Sequence, residues 1–273
     1  MRDNCAMTAH PDASKEEATV NATNRVRFVL VRPSHPGNIG AAARAIRTMG
    51  FRRLHLVAPY RYPHADATAM AAGADDVLAN IVVTDTLPEA LRDCTFALGC
   101  TARQRAVPLE ELAPRVAAAR ALEAGGQGEV ALVFGNERTG LENEELMCCH
   151  ASVHIPSVTD FSSLNLAQAV QVLAYELRIA ALAPAPAAEG EARAEALATS
   201  AELEHFFSHL GQTLDDIDFH KGRSPRTIMN RLRRLFFRIG LEQREVRILR
   251  GIFDDAQRMA RLAKGVAGKP PDA

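Results

Sequence analysis

Three short segments of this 273-residue chain combine glycine with amide, hydroxyl or charged side chains, each close to the end of a predicted strand. They run from Gly37 to Arg44, from Gly135 to Leu141 and from Phe161 to Leu166. Such groups hold ligands through free backbone N–H groups and short polar side chains, and glycine lets a ligand approach the backbone closely. Because α/β proteins form their sites at the carboxyl ends of parallel strands, we expect the three segments to surround one ligand.

The segment at Phe161 also starts a helix. The apolar residues that follow recur at intervals of four, three and four: Leu166, Val170, Leu173 and Leu177. This spacing places the four side chains on one face of an α-helix. A serine at the N-cap accounts for one hydroxyl, because its oxygen accepts a hydrogen bond from a backbone N–H of the first turn. Ser162, Ser163 and Asn165 crowd the same turn, however, and this density also suits ligand binding.

The other two segments present charged side chains beside glycines. Gly37 and Gly40 permit a tight turn, and Arg44 follows in the first or second turn of a predicted Ala-rich helix. Glu137 and Arg138 lie between glycines directly after a buried strand. A solvated surface turn is the ordinary explanation for such charges, but their position at a strand end favours a site. Neither segment matches the glycine fingerprint of dinucleotide-binding folds or the phosphate-binding P-loop.

Apolar runs alternate with helical patterns along the first two thirds of the chain. Strands are predicted at 26–31, 54–58, 81–83, 95–100, 130–134 and 152–155. Helices are predicted at 41–49, 67–72, 87–92, 113–123 and from residue 166 onward. Strands that are apolar throughout and alternate with helices indicate an α/β fold with a parallel sheet covered by helices on both faces.

The composition is that of a globular protein with one sizeable core, with 47% hydrophobic residues, 24% charged residues and a formal net charge of −1. No uninterrupted apolar run is long enough to span a bilayer, so we expect no membrane contact. Residues 1–24 are polar and lack the apolar centre of a secretory signal, and we interpret them as the disordered tail of a cytoplasmic protein. The five cysteines lack a CxxC spacing, which favours reduced thiols over disulfides or a metal site.

The chain changes character after residue 182. Residues 183–200 are rich in Ala, Pro and Glu without apolar periodicity, and we interpret them as a linker. Helices are predicted at 203–210, 225–237 and 242–262. Between Lys221 and Lys264, thirteen Lys or Arg stand against four acids, which favours a nucleic acid partner over a solvated helical face or a dimerisation element. The candidate RNA-contacting residues are Arg226, Arg231, Arg233 and Arg234.

Together the three polar segments resemble the three motifs of the SPOUT methyltransferases, in the TrmH/TrmJ branch of RNA ribose 2′-O-methyltransferases. The resemblance runs from about Val26 to Leu182 without gaps inside the motifs. Met229 to Phe236 and Ile248 to Ile252 resemble the helical extension of the TrmJ group, which methylates C or U at position 32 of tRNA. The implied organisation is a tail at 1–24, a methyltransferase domain at 25–182, a linker at 183–200, a basic helical RNA-binding or dimerisation extension at 201–265 and a tail at 266–273.

The resemblance implies a deep trefoil knot at the end of the sheet domain, with S-adenosylmethionine bound within it. The residues that it assigns to cofactor binding are Cys100, Thr101, Ala102, Gly135, Ile155, Ser162, Ser163 and Leu164. Loop backbone at strand ends and small side chains agree with such a pocket. Cys100 is then a wall of the pocket, because O-methylation needs no covalent intermediate on a thiol. The resemblance implies no metal.

The residues implied in catalysis are Arg44, Asn38, Glu137, Ser163 and Asn165. In the family, the arginine that matches Arg44 acts on the ribose 2′-hydroxyl, but a guanidinium stays protonated and is a poor general base. We favour an Arg44 that binds the hydroxyl and the adjacent phosphate while phosphate or water takes the proton; a transiently neutral Arg44 is the alternative. Asn38 and Asn165 would orient Arg44 and the RNA backbone, and Glu137 would fix the loop or balance the charge of Arg44. Ser163 would contact substrate or cofactor.

The implied function is S-adenosylmethionine-dependent 2′-O-methylation of C or U at position 32 in the tRNA anticodon loop. We expect tRNA as the partner and a homodimer, in which Arg44 of one subunit meets the cofactor of the other. The alternatives are a 2′-O-methyltransferase of another RNA, whether ribosomal RNA or another tRNA site, and a catalytically silent knotted RNA-binding protein. A general nucleotide-binding α/β enzyme with a dimerising tail is a third alternative.

Overall fold

The computed structural model describes residues 23–102, 109–158, 160–183 and 195–267. Nearly all of the predicted N-terminal tail, linker residues 184–194 and residues 268–273 lie outside these ranges. The described chain forms a seven-stranded sheet flanked by helices, followed by three further helices. Both parts agree with the predicted α/β domain and its helical extension. Within the described ranges, no helix combines the length and the apolar character needed to cross a membrane.

All strand pairs in the sheet are parallel. The strands are β1 (Val26–Val31), β2 (Arg53–Val57), β3 (Val82–Thr84), β4 (Cys94–Cys100), β5 (Glu110–Leu112), β6 (Glu129–Phe134) and β7 (Ala151–Val153). Their order across the sheet is β3-β2-β1-β6-β4-β7-β5. Leu30 pairs with both Leu56 and Phe134, so β1, β2 and β6 end side by side. The first two polar segments therefore leave the sheet at the same edge.

Helices cover both faces of the sheet. They are α1 (Pro36–Thr48), α2 (Ala65–Ala71), α3 (Asp75–Ala79), α4 (Leu87–Leu91), α5 (Pro114–Gly125), α6 (Asn143–Leu146) and α7 (Leu166–Leu182). Successive strand residues point to opposite faces. Phe28 and Leu30 accordingly belong to a core cluster with α1, α2, α3, α5 and α7, whereas Val29 and Val31 belong to a cluster with α4 and α6. This two-sided burial is the reason why the strands are apolar throughout.

The C-terminal extension packs on the sheet domain. It consists of α8 (Ser200–Asp216), α9 (Pro225–Ile239) and α10 (Gln243–Ala267), which enclose an apolar core of their own. The hydroxyl of Ser200 donates a hydrogen bond to the carbonyl of Cys94 at 2.9 Å. The rings of His150 and Phe237 lie 4.5 Å apart. Polar and aromatic contacts therefore join the extension to the start of β4 and to the segment before β7.

Three short elements were not predicted, and α8 spans Ser200–Asp216 where a helix at 203–210 was predicted. The start of α1 differs as well. β5, α3 and α6 contain between three and five residues, too few to display a hydrophobic period. α1 begins at Pro36 and not at Ala41, because a residue without a backbone N–H suits the first position of a helix. The glycines of the first segment therefore lie within α1, and Arg44 lies in its third turn, not in its first or second.

Gly40 allows α1 and α2 to pack closely. A Cβ added to Gly40 would lie 2.0 Å from the carbonyl oxygen of Ala67, far inside van der Waals contact. The neighbouring atoms belong to the α2 backbone and cannot rotate away as a side chain can. The absence of a side chain at residue 40 is therefore a packing requirement of the helix that carries Arg44.

We predict opposite effects of alanine at two helical glycines. Gly40→Ala destabilises the fold by about 3 kcal/mol, because the new methyl group collides with the α2 backbone. Gly251→Ala in α10, where an added Cβ meets nothing within 4 Å, stabilises by about 0.5–1 kcal/mol through helix propensity. Equilibrium unfolding in urea measures both changes. A Gly40→Ala variant as stable as the wild type would contradict the close helix contact.

Candidate active site

The carboxylate of Glu137 binds the loop that follows β1. Its Oε2 accepts hydrogen bonds from the backbone N–H and the hydroxyl of Ser34, at 2.9 and 2.7 Å. Its Oε1 accepts from the backbone N–H of His35 at 3.2 Å and from Nδ2 of Asn38 at 2.8 Å. Four donors on one carboxylate fix the second segment against the first, although Asn38 and Glu137 lie 99 residues apart in the chain.

These hydrogen bonds also set the charge of Glu137. Burial acts to raise the pKa of its carboxyl group, but hydrogen bonds from Asn38 and Ser34 outweigh burial and lower the pKa to about 2. Hydrogen bonds to a carboxylate favour its charged form. Glu137 is therefore ionised at neutral pH and brings one negative charge to the site.

Asn38 connects the first segment to the third. Its Oδ1 accepts a hydrogen bond from Nδ2 of Asn165 at 3.0 Å. Asn165 is the N-cap of α7, and its Oδ1 accepts from the backbone N–H groups of Ala167 at 2.9 Å and Gln168 at 3.4 Å. The prediction of a serine N-cap was wrong, because the Asn165 side chain occupies the cap. Both serines of the third segment consequently precede the helix.

Two further contacts hold the second segment in place. Nδ2 of Asn136, in the second segment, donates to the backbone carbonyl of Arg32 at 2.6 Å. The Arg32 guanidinium in turn forms an ion pair with Glu145 of α6. At Gly135 the loop folds back so closely that an added Cβ would lie 2.1 Å from the backbone of Gly140. No local pattern indicated the roles of Arg32, Asn136 or Ser34 beyond their positions near strand ends.

A cavity of about 300 Å³ lies beside these loops at the carboxyl edge of the sheet. All eight residues assigned to cofactor binding line it: Cys100, Thr101, Ala102, Gly135, Ile155, Ser162, Ser163 and Leu164. Segments that follow β4, β6 and β7 thus share one cavity. Burial raises the pKa of the Cys100 thiol to about 12, so this wall is uncharged at neutral pH.

The residues assigned to catalysis do not all reach the cavity. Glu137 and Ser163 line it, and Asn38 and Asn165 join it through the hydrogen bonds described above. Arg44 is exposed and does not line this cavity. Its guanidinium has no hydrogen bond or ion pair with any residue that the structure describes. The hydrogen bonds of Glu137 within its own chain hold the loop after β1, and none of them involves Arg44.

Two of the four arginines assigned to RNA contact are bound within the protein. Arg233 donates to Glu204, with Nη2 at 2.7 Å from Oε2, and lies over the Phe207 ring at 4.4 Å from its centroid. Arg226 pairs with Glu144 at 2.6 Å and so joins the extension to the sheet domain. Both guanidinium groups already have a partner for their charge.

Arg231 and Arg234 differ from that pair. Both are exposed on α9, and neither has a hydrogen bond or ion pair among the residues that the structure describes. A guanidinium without a partner can bind a phosphate bidentately without first breaking an intramolecular contact. Of the four arginines, Arg231 and Arg234 are therefore more available to bind a polyanion than Arg226 and Arg233.

Two family models match the chain. The SpoU rRNA Methylase family matches residues 25–175, which lie in the sheet domain. The model of the C-terminal domain of tRNA methyltransferase TrmJ matches residues 201–265, which lie in the helical extension. The membership in the methyltransferase branch, which was predicted from the three segments, is thereby confirmed.

Relatives match most of the chain and so cover both the sheet domain and the helical extension. One from Pseudomonas aeruginosa, named tRNA (cytidine/uridine/adenosine-2′-O-)-methyltransferase TrmJ, is 50% identical over 246 residues, 87% of this chain and 96% of the relative. One from Pectobacterium atrosepticum, named tRNA (cytidine/uridine-2′-O-)-methyltransferase TrmJ, is 44% identical over 86% of this chain and 98% of its own length. The crystal structure of TrmJ from Z. mobilis ZM4 superposes with a TM-score of 0.72 at 35% identity, covering 84% and 97% of the two chains.

We predict that Glu137→Gln weakens the fold in a pH-dependent way. The pKa of the carboxyl falls from an ordinary value near 4.5 to about 2 on folding, so its stabilisation is complete above pH 4.5 and disappears as the pH falls to 2. At pH 7 the variant loses about 1–2 kcal/mol, because one amide cannot accept from all four donors and the group is only partly buried. Thermal unfolding at pH 7, 4 and 2.5 should show the difference from wild type shrinking.

Glu111→Gln serves as the matched control, since Glu111 is exposed on β5. It should unfold within 0.5 kcal/mol of wild type across the same pH range, as expected for a solvated surface residue. A difference between Glu137→Gln and wild type that stays constant down to pH 2.5 would mean that the carboxylate charge does not stabilise the loop.

Proposed function

This chain belongs to the SpoU methylase family, and we propose that it methylates the ribose 2′-hydroxyl of a pyrimidine at position 32 in the tRNA anticodon loop, in the cytoplasm. The observation that carries the proposal is the joining of three motif segments by Glu137, Asn38 and Asn165 around one cavity. The names of the relatives support a tRNA substrate and a 2′-O-methyl product. A family match of the helical extension to the TrmJ C-terminal domain supports the same substrate class.

The cavity suits S-adenosylmethionine as the methyl donor. A volume of about 300 Å³ is at the lower end for small-molecule sites, and its walls offer loop backbone, hydroxyl and apolar groups. The donor supplies a methyl group activated by a positively charged sulfonium. Cys100 stays protonated and takes no covalent part, and the Glu137 carboxylate gives the site a negative charge that is compatible with a cation. The trefoil knot expected of the family is part of the proposal.

Arg44 acts by binding and not as a base. Its guanidinium is charged at any working pH, so it can donate hydrogen bonds to the 2′-oxygen and to the neighbouring phosphate but cannot accept the proton. The hydroxyl proton would pass to phosphate or water, and a bound donor would supply the methyl group and leave as the neutral thioether. Holding the hydroxyl in line with the methyl group accounts for much of the acceleration.

A homodimer would complete this site. Arg44 has no partner among the described residues and does not line the cavity of its own chain, as expected if it meets the cavity of a second subunit. α7 carries Tyr175, Ile179 and Leu182 exposed at intervals of four and three, an apolar stripe of the kind that helices bury in interfaces. A composite site between two subunits explains both observations.

We predict that Arg44→Ala lowers methyl transfer at least about 100-fold, or about 2.7 kcal/mol in the transition state, because the group that orients the hydroxyl is lost. Labelled S-adenosylmethionine and unmodified total tRNA are the substrates. Digestion and mass spectrometry identify 2′-O-methylated C, U and A, and fragment analysis maps the position. Donor affinity, measured by calorimetry, should change less than twofold, because Arg44 is proposed to bind the hydroxyl and phosphate of the RNA and not the donor.

Arg47→Ala is the matched control on the same helix. Arg47 is exposed and pairs with Asp76 at 2.9 Å, and its loss should change transfer less than about twofold. Methylation of ribosomal RNA alone would redirect the proposal to another RNA. A protein that binds tRNA but never binds the donor would instead be a catalytically silent RNA-binding protein.

We predict that the exposed arginines of α9 contact phosphates. The double variant Arg231→Ala/Arg234→Ala should weaken tRNA binding. It should also reduce the slope of log K against log salt by about 1.5, because a protein with two fewer phosphate contacts releases fewer counterions when it binds. Arg233→Ala should instead lower stability by about 1 kcal/mol, because it removes the Glu204 and Phe207 contacts. Filter binding from 50 to 300 mM salt and thermal unfolding separate the two effects. An unchanged salt slope in the double variant would exclude these side chains from the interface.

A further inference from the structure

Phe161 presents an aromatic ring to solvent at the rim of the cavity. It lines the cavity, yet 82% of its surface is exposed. Its loop is held by two hydrogen bonds: the Phe161 N–H donates to the carbonyl of Val158 at 3.2 Å, and the hydroxyl of Ser157 donates to the carbonyl of Ser162 at 3.1 Å. The ring is therefore fixed at its backbone and left without a partner for its faces within the described chain.

Such exposure is unusual, because phenylalanine is one of the residue types that proteins bury most often. Removing its apolar ring from water is favourable. The ring adjoins Ser162 and Ser163, so it stands where a ligand would enter the cavity. Proteins that bind unpaired nucleotides use aromatic side chains in such positions as stacking surfaces for bases.

We propose that Phe161 stacks on the base of the nucleotide whose ribose is methylated, and so positions its 2′-hydroxyl at the mouth of the cavity. This assignment rests on the proposed function and adds a substrate-contacting residue to it. The ring can reach a base because anticodon-loop nucleotides are single-stranded and can turn outward. Stacking on the base leaves its ribose and phosphate accessible to the polar groups of the three segments.

The adenine of the methyl donor is the other nucleobase that could meet this ring. A ring that covers the adenine of a bound donor should be buried in the cavity wall, as the ring of Phe134 is. The Phe161 ring is largely exposed, so it is less suited to that contact. Stacking also tolerates different bases, because every base has a π-face. The relative from Pseudomonas aeruginosa is named for cytidine, uridine and adenosine, which agrees with a contact that does not read base edges.

The first test compares four variants in steady-state methyl transfer. Phe161→Ala and Phe161→Leu should raise the KM for tRNA about tenfold and change the donor Kd less than twofold, because stacking one base contributes about 1–3 kcal/mol. Phe161→Tyr keeps the aromatic face and should behave like wild type. Val158→Ala is the control, since Val158 is 65% exposed in the same loop but does not line the cavity. It should leave both constants unchanged.

The second test needs no turnover. The chain contains no tryptophan, so Phe161→Trp introduces a single indole at the rim, which can be excited selectively at a wavelength that the three tyrosines do not absorb. Its emission should be quenched by an unmodified anticodon stem-loop RNA, and much less by S-adenosylmethionine alone. Val116→Trp, at an exposed position on α5, measures quenching that does not depend on the site.

Three results would overturn the assignment. A donor Kd that rises tenfold in Phe161→Ala with an unchanged KM for tRNA would assign the ring to the donor adenine. A Phe161→Leu variant with wild-type constants would show that apolar volume suffices without stacking. Loss of the dimer in Phe161→Ala by analytical ultracentrifugation would make the ring an interface group. If wild type methylates no RNA, the proposed function fails, while quenching of Phe161→Trp by RNA still tests the stacking contact.

Discussion

The Glu137 carboxylate is the contact on which the candidate site depends. Two strands, β1 and β6, lie side by side in the sheet, and their loops leave at the same edge. A carboxylate at the end of β6 accepts four hydrogen bonds from the loop after β1. Asn38 carries the connection on to Asn165, which caps α7. One partly buried charge thereby holds three distant segments in a single arrangement, and its hydrogen bonds lower its pKa enough to keep it charged.

The groups proposed to take part in the reaction keep one protonation state over the working range of pH. Cys100 is a neutral thiol, Glu137 a carboxylate and Arg44 a guanidinium cation. None of these groups is suited to take a proton from a ribose hydroxyl near pH 7. The protein side of the proposed reaction is therefore positioning and charge stabilisation, and the proton acceptor lies in the RNA or the solvent. This division of roles between the protein and the RNA or solvent agrees with a site built from loops and small residues.

The helical extension uses its positive charge in two ways. Arg233 and Arg226 are engaged inside the protein, one within the extension and one across to the sheet domain. Arg231 and Arg234 remain exposed on the same helix. A count of basic residues therefore overstates the surface offered to a polyanion, since part of the charge stabilises the fold. The ion pair of Arg226 with Glu144 also links α9 to the domain that contains the cavity.

The sequence by itself determined the α/β class, six of the seven strands that the structure describes, the helical extension and the three segments of the site. Apolar periodicity and turn chemistry are local properties, and each is visible within about ten residues. Only the tertiary structure decided which donors bind Glu137, that Asn165 caps α7, and that Arg233 binds Glu204 while Arg231 pairs with no residue that the structure describes. These contacts join residues that lie far apart in the chain or on separate helices, and no local pattern specifies them. They depend on the order of parallel strands and the packing of helices, which place the segments within hydrogen-bond distance.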